Sequence, residues 1–181
     1  MPDPFTLLGL EPSFDVSLSE LANRHRDLST ALHPDRHANA SASVRRQALG
    51  RAIDVNEAYR KLKNPVTRAE ALLERLGLSA NPETQKADPS FLMEMMTQRE
   101  ALGEARSEKD GDAVETLERE IAVQQKQTLE RLSGAFTSLP MPGEVDAVPS
   151  VLASVHEALG ELRYYRRFLD EVSAILDDLE P

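Results

Sequence analysis

Apolar side chains recur every three or four residues along most of this chain, which is the period of an amphipathic α-helix. The first third contains two such stripes: Leu18, Leu21, Leu28 and Leu32, with His25 on the same line, and then Ala48, Ala52, Val55, Tyr59 and Leu62. Pro34 should end the first helix at His33, because proline lacks an amide proton and disfavours a helical conformation in the residue before it. The pattern therefore predicts a helical hairpin closed by a short loop.

Capping signals mark the other helix ends of this region. Ser17 followed three residues later by Glu20 is a capping box, which should start the first long helix. Asn64 before Pro65 predicts a cap and the first position of a further helix, over roughly 65–76. A short apolar run at residues 5–10 predicts one or two helical turns that Gly9 should end, and residues 36–43 lack apolar periodicity and are predicted to be loop.

The rest of the chain predicts three long helices after a polar linker. Asp88 and Pro89 should open the first, which runs to about residue 109; the second covers roughly 112–139 and the third roughly 149–179. The stripe of the third is nearly a heptad seam, which favours an antiparallel three-helix bundle. The predicted fold class is all-α, with an N-terminal domain over 1–76, a linker over 77–88 and the bundle over 89–181.

Composition narrows the function classes. The chain has 181 residues, 40% of them hydrophobic, and no run approaches the length of a membrane-spanning helix. Its first residues lack the cationic region of a signal peptide, so we expect a soluble cytoplasmic protein. It contains no cysteine. This excludes disulfides, thiol catalysis and any iron–sulfur cluster or zinc ion held by thiolates of this chain.

Charge is divided unevenly between the two predicted domains. Residues 1–76 carry 11 Lys and Arg against 10 Asp and Glu, whereas residues 77–181 carry 10 against 21. The two parts should therefore meet different partners. Within residues 24–68 the balance is 10 basic to 4 acidic, so the hairpin could attract an acidic protein or nucleic acid. Nucleic acid is disfavoured, because the whole chain is acidic and lacks interleaved aromatic residues for base stacking.

The loop between the hairpin helices carries the candidate chemistry of the first domain. His33 and Asp35 could be a general base with its orienting acid, but no nucleophile or pocket signal accompanies them. With His37 they could bind a metal, although three short-range ligands without a fourth make a poor site. We favour a stiff protein-binding loop flanked by Arg24, Arg26 and Arg36, and we assign no catalytic residue, metal or cofactor.

The bundle contains apolar residues in excess of its predicted core. If residues 91, 95, 98, 102 and 105 face inward, helical rotation of about 100° per residue places Leu92, Met93 and Met96 to one side. The same arithmetic places Tyr164 and Phe168 off the seam of the last helix. These side chains could form one partly exposed protein-binding patch, for which flexible methionines are suited. Alternatively, they are the buried flanks of wide apolar faces.

Several of these segments resemble one protein family. Helix, His33-Pro34-Asp35, helix resembles the J-domain of DnaJ-type co-chaperones, and Val55–Tyr59 with Leu62 is similar to its third helix. The run Asn64–Leu73 is similar to HscB, the J-protein of iron–sulfur cluster assembly. Residues 91–94 and 162–164 resemble the segments by which HscB proteins bind their scaffold.

The resemblance implies a binding mechanism. The loop would dock on a DnaK- or HscA-type chaperone and stimulate its ATPase through His33, Pro34, Asp35, Arg24, Arg26 and Arg36. The bundle would hold the iron–sulfur scaffold protein IscU through Leu92, Met93, Met96, Arg99, Glu100, Tyr164 and Phe168. The protein would then be no enzyme, and it would bind neither nucleic acid nor membrane. The alternative is a helical interaction adaptor that does not stimulate a chaperone.

Overall fold

Regular structure in the described parts of the chain is entirely helical, as predicted. The computed structural model describes residues 2–38, 40–78, 87–138 and 148–179, and these contain seven α-helices, one 3-10 turn and no strand. The chain divides into two compact units, residues 1–80 and 81–181. Most of the predicted linker, residues 79–86, lies outside the described residues.

The N-terminal unit begins with a short helix, α1 (Pro4–Leu8). The Asp3 carboxylate caps it by accepting the Thr6 amide proton at 3.1 Å, and Gly9 ends it in the left-handed conformation with φ of 64°. Glycine adopts this conformation without steric cost, which explains the predicted stop. Phe5 and Leu8 are almost wholly buried, so α1 contributes two core anchors from five residues.

Helices α2 (Leu18–Ala31) and α3 (Ala42–Lys63) form the predicted hairpin. Ser17 caps α2 by accepting the Glu20 amide proton at 3.3 Å, which confirms the predicted start. The apolar stripe of α2 buries Leu21 completely, but Leu18 is 56% exposed. The prediction that Leu18 belongs to the core is therefore wrong, because the buried part of this helix begins one turn later.

Helix α4 (Pro65–Arg75) completes the N-terminal unit. Its N-cap is Asn64, whose side-chain oxygen accepts the Val66 amide proton at 2.9 Å, and Pro65 occupies the first helical position as predicted. Leu62 of α3 and Leu73 of α4 are fully buried. The core of the unit therefore draws on all four helices and leaves the turn between α2 and α3 at the surface.

The C-terminal unit is a bundle of α5 (Pro89–Glu108), α6 (Gly111–Thr137) and α7 (Val148–Leu179), and each pair of these helices is in contact. Asp88 and Asp110 cap the first two, and Lys109 makes the tight turn between them with φ of 56°. Met95, Leu102 and Ala105 of α5 are buried, as the predicted inward face requires. The predicted turn at residues 140–143 lies outside the described residues.

Most of the predicted stripe of α7 is buried. Val155, Leu159, Leu162, Tyr165 and Val172 are buried as predicted, but in the second half Phe168 and Ile175 are buried as well, whereas Leu169 and Leu176 are partly exposed. Helical rotation of about 100° per residue places position 168 about 60° from Tyr165 and about 40° from Val172 around the helix axis. Phe168 therefore shares the inward face of these two residues.

Candidate functional sites

The loop between α2 and α3 holds His33, Pro34 and Asp35 in a short 3-10 turn. This turn spans Pro34–His37, within and just before the segment predicted to be loop. It forms because Pro34 supplies the backbone angle of a first helical position and His33 acts as the cap, its Nδ1 accepting the Asp35 amide proton at 3.3 Å. The neutral His33 ring therefore carries its proton on Nε2.

The Asp35 carboxylate is presented to solvent. Its side chain is 89% exposed, and its Oδ2 lies 3.4 Å from Nδ1 of His33, whose side chain is 60% exposed. An exposed acid beside an exposed histidine has little effect on stability, since such pairs contribute at most about 1 kcal/mol. The Asp35 carboxylate is therefore available to a binding partner and contributes little to the stability of the fold.

Three hydrogen bonds tie the turn and the residues after it to the flanking helices. His37 donates from Nε2 to the backbone oxygen of Ala31 at 3.1 Å, and Arg45 donates from Nη1 to the backbone oxygens of Ala38 and Ala40 at 3.3 and 3.1 Å. Periodicity gives no signal for this role of Arg45. Arg45 thus serves as a tie between α3 and the loop.

Basic side chains flank the loop as predicted. Arg24, Arg26 and Arg36 are all exposed, and Arg24 forms a surface ion pair with Glu20 at 3.6 Å. Arg26 and His33 line one open recess together with Tyr59 of α3. The structure therefore brings Arg26 and His33 to one recess, and Arg36 lies within the 3-10 turn itself.

An apolar recess beside the loop was missed by the sequence analysis. Its walls combine side chains from the end of α2, the turn and the first half of α3: Leu32, Pro34, His37, Arg45, Ala48, Leu49 and Ala52. Leu49 and Ile53, one turn apart on α3, are 58% and 51% exposed. Both residues lie off the inward apolar stripe of α3. Apolar residues in such positions are the sequence signal from which the recess could have been predicted.

The second predicted surface lies on the bundle. Met93 is 70% exposed, Met96 63% and Tyr164 38%, and Leu92 is half-buried. The Phe91 ring packs edge-on against Tyr164, with ring centroids 5.9 Å apart, so Tyr164 lies against the first turn of α5. The structure therefore exposes four of the five apolar side chains predicted for the patch and joins α5 to α7 there.

Phe168 does not belong to this exposed patch. Its relative exposure is 0%, and it is one of the largest fully buried side chains of the bundle. The prediction that it is partly exposed is wrong, because position 168 lies within about 60° of the buried Tyr165 and Val172 around the helix axis. Among the predicted polar members, Arg99 forms an ion pair with Glu171 at 3.3 Å and Glu100 is exposed.

A buried polar network lies within the bundle and has no counterpart in the sequence analysis. Thr128 of α6 donates to the Glu161 carboxylate of α7 at 2.8 Å, and Arg131 donates to the same oxygen. Burial, together with the negative charge of Glu161, raises the pKa of Tyr165 above its ordinary value. A more exposed hydrogen bond, from Gln124 of α6 to Glu94 of α5 at 2.7 Å, joins a second pair of helices. Partners of this kind fix the register of packed helices, because a shifted register would leave buried polar groups unpaired.

Neither unit shows a metal centre in the residues that the structure describes. No group of three or more His, Cys, Asp or Glu side chains there is placed to hold a metal ion. Within the same residues, no helix is long and apolar enough to cross a membrane.

Known proteins resemble the chain over nearly its whole length. A family model described as the HSCB C-terminal oligomerisation domain matches residues 87–173. The co-chaperone protein HscB homolog of Shewanella halifaxensis is 35% identical, with 97% of each chain covered. That of Neisseria meningitidis serogroup B is 39% identical over 75% of this chain and 82% of its own length. Among solved structures, chaperone HscB from Vibrio cholerae matches with a TM-score of 0.83 and 30% identity over 98% of this chain and 99% of its own. Human co-chaperone HscB matches with a TM-score of 0.70 and 25% identity, over 96% and 84%.

Proposed function

Because this chain belongs to the HscB family of co-chaperones, we propose that it stimulates the ATPase of a DnaK- or HscA-type chaperone and delivers the scaffold protein IscU to it. The observation that carries the proposal is the Asp35 carboxylate, 89% exposed on a turn that Pro34 and Arg45 hold in place. The activity assists iron–sulfur cluster assembly in the cytoplasm. The chain itself performs no chemistry, and the chaperone hydrolyses the ATP.

Docking at the loop is electrostatic in this proposal. Asp35 contacts a basic group of the chaperone, and Arg24, Arg26 and Arg36 attract acidic groups around it. Opposite charges on the two proteins accelerate their encounter and fix its orientation. Because the turn is already formed, little conformational entropy is lost when it docks, which raises affinity without additional contacts.

Scaffold binding at the bundle is mainly apolar. Leu92, Met93, Met96 and Tyr164 provide the anchors, while Arg99 and Glu100 provide a polar rim. Phe168 is fully buried and belongs to the core of the bundle rather than to this contact surface. A central apolar cluster within a polar rim is the usual anatomy of a specific interface.

The test is the steady-state ATPase of purified HscA and of purified DnaK, each measured with increasing amounts of the full chain. Asp35→Asn should abolish stimulation, because it removes the charge but changes stability by less than about 0.5 kcal/mol at an exposed site. The matched control is Asp177→Asn, the same exchange at an exposed position of α7, which should stimulate like the parent.

The same assay also distinguishes the proposed co-chaperone from the alternative adaptor. An adaptor without chaperone stimulation would bind IscU and leave both ATPases at their basal rates. Stimulation that survives in the Asp35→Asn variant would refute the loop mechanism. The ATPase that this chain stimulates more strongly, that of HscA or that of DnaK, identifies the chaperone partner.

A further inference from the structure

Three of the five methionines lie within four residues of α5. Met93 and Met96 are 70% and 63% exposed, whereas Met95 between them is 4% exposed. Helical rotation explains the contrast: positions 93 and 96 lie about 60° apart around the helix axis, and position 95 lies at least about 100° from each. One helix therefore places two methionine side chains in solvent and a third in the core.

Exposed methionine sulfur reacts with hydroperoxides. The thioether sulfur gives up two electrons and gains one oxygen atom, the O–O bond of the peroxide breaks, and hydrogen peroxide leaves as water. Methionine sulfoxide reductases reverse the reaction. The chain contains no cysteine, so its thioethers are its only sulfur groups that can be oxidised and repaired in this way.

We propose that Met93 and Met96 form a reversible oxidation site for hydroperoxides, and that their conversion to sulfoxides releases the iron–sulfur scaffold from the bundle. The inference rests on the proposed function, because the same two side chains belong to the scaffold-binding patch. A sulfoxide is strongly polar, and burying it in an apolar interface without a hydrogen-bond partner is unfavourable. The fold tolerates the change, because both side chains already face solvent.

The position of the site restricts its effect to one of the two activities. Residues 2–80 contain neither methionine nor cysteine, so the loop around Asp35 has no sulfur to oxidise. Peroxide should therefore uncouple the protein: chaperone stimulation persists while scaffold binding is lost.

Site selectivity is tested by treating the folded full chain with hydrogen peroxide and mapping oxygen addition by peptide mass spectrometry. Met93 and Met96 should react at least about tenfold faster than Met95, because a core side chain reacts only when the bundle opens locally. In denaturant, the three should react at similar rates. Equal rates in the folded protein would overturn the site.

Release is tested by calorimetric binding of purified IscU to the parent and to a Met93→Leu, Met96→Leu double variant. Leucine conserves volume and apolarity but cannot form a sulfoxide. Peroxide should weaken binding by the parent at least about tenfold, the energetic equivalent of one lost anchor contact. Methionine sulfoxide reductases with thioredoxin should restore it. The comparison is made within each protein: peroxide should leave the affinity of the double variant at its own untreated value, which shows that Met1, Met95 and Met141 are not responsible.

Three results distinguish failure of this inference from failure of the proposed function. Full binding by the oxidised parent, or equal loss of binding in the double variant, would refute oxidative release. Loss of ATPase stimulation together with binding would indicate general damage and would also refute it. No IscU binding by the untreated parent would refute the proposed scaffold function, and oxidative release with it.

Discussion

Helix α7 carries two aromatic side chains one turn apart whose surroundings predict opposite responses to truncation. Phe168 is fully buried, whereas Tyr164 is 38% exposed and touches the edge of Phe91. We predict that Phe168→Ala destabilises the bundle with little direct effect on scaffold contacts. Tyr164→Ala should weaken scaffold binding with little effect on the bundle.

The expected magnitudes differ enough to be measured. Phe168→Ala removes a core ring and leaves a cavity, which costs about 3–5 kcal/mol of unfolding free energy. For a unit of roughly 100 residues, a 4 kcal/mol loss lowers the melting temperature by roughly 15–30 °C. Tyr164→Ala loses an edge-on ring contact of about 0.5–1.5 kcal/mol together with the partial burial of its ring, but it leaves no enclosed cavity because that ring is 38% exposed. If Tyr164 is an anchor, its loss costs about 1–3 kcal/mol of binding, or about 5- to 150-fold in Kd.

Differential scanning calorimetry and calorimetric titration with IscU, on the same preparations, provide both readings. Phe168→Ala should still bind IscU well below its lowered melting temperature. Equal melting temperatures for the two variants would refute the burial argument. Unchanged affinity in Tyr164→Ala would remove it from the patch and favour the interpretation of these residues as ordinary flanks of the core.

Three further predictions concern the N-terminal unit. Reversing Arg24 and Arg26 to Glu should slow chaperone association and flatten its dependence on salt, with IscU binding unchanged; stopped-flow mixing at several salt concentrations measures this, and an unaltered salt slope would contradict it. Arg45→Ala removes two hydrogen bonds to the loop, so amide hydrogen exchange there should accelerate while stability falls by no more than about 1 kcal/mol; unchanged exchange would refute its role as a tie. The pKa of Asp3 lies below its ordinary 3.8: burial opposes the shift, but hydrogen bonds from Thr6 and the charge of Arg75 outweigh it. Its stabilisation is therefore present above the unfolded pKa and lost as the pH falls through the lower folded pKa, so melting temperatures between about pH 5 and pH 2 should fall less steeply in Asp3→Asn than in the parent.

Helix starts were the most predictable part of this fold, because their signals are local. Ser17, Asn64 and Asp88, all predicted as caps, each accept an amide proton from a residue two or three positions later. Such a bond depends on adjacent sequence and on little else. Gly9 is likewise a local signal, and it correctly predicted the end of α1.

Predictions that required the direction of a side chain in the folded unit were less accurate. Periodicity placed Met93 and Met96 off the core of α5 correctly, because the inward residue Met95 is adjacent in sequence and fixes the direction of the core there. It misplaced Phe168, because one average stripe was drawn along the 32 residues of α7, whereas the buried face of its second half is wide enough to include position 168. The exposed residues of a long helix are therefore better inferred segment by segment.

Contacts between distant segments could not be predicted from local pattern. Thr128 and Glu161 are 33 positions apart, and each looks like an ordinary polar residue in its own helix. Arg45 reaches back to a loop whose conformation depends in turn on Pro34. These residues acquire their roles only when the helices are packed, which is why charge and period alone did not identify them.

Combining the two surfaces in one chain has an energetic consequence beyond either interface. In the proposed function, a scaffold bound to the bundle would be tethered to the chaperone whenever the loop docks, so its encounter with the chaperone would become intramolecular. Tethering of this kind replaces the solution concentration of a partner with an effective concentration that reaches the millimolar range for short connections. Each interface can then be weak enough to release its partner after one round of ATP hydrolysis. This explains why the predicted anchors are few and partly exposed, and why chemical changes as small as a sulfoxide at Met93 or a lost charge at Asp35 should be sufficient to switch the protein off.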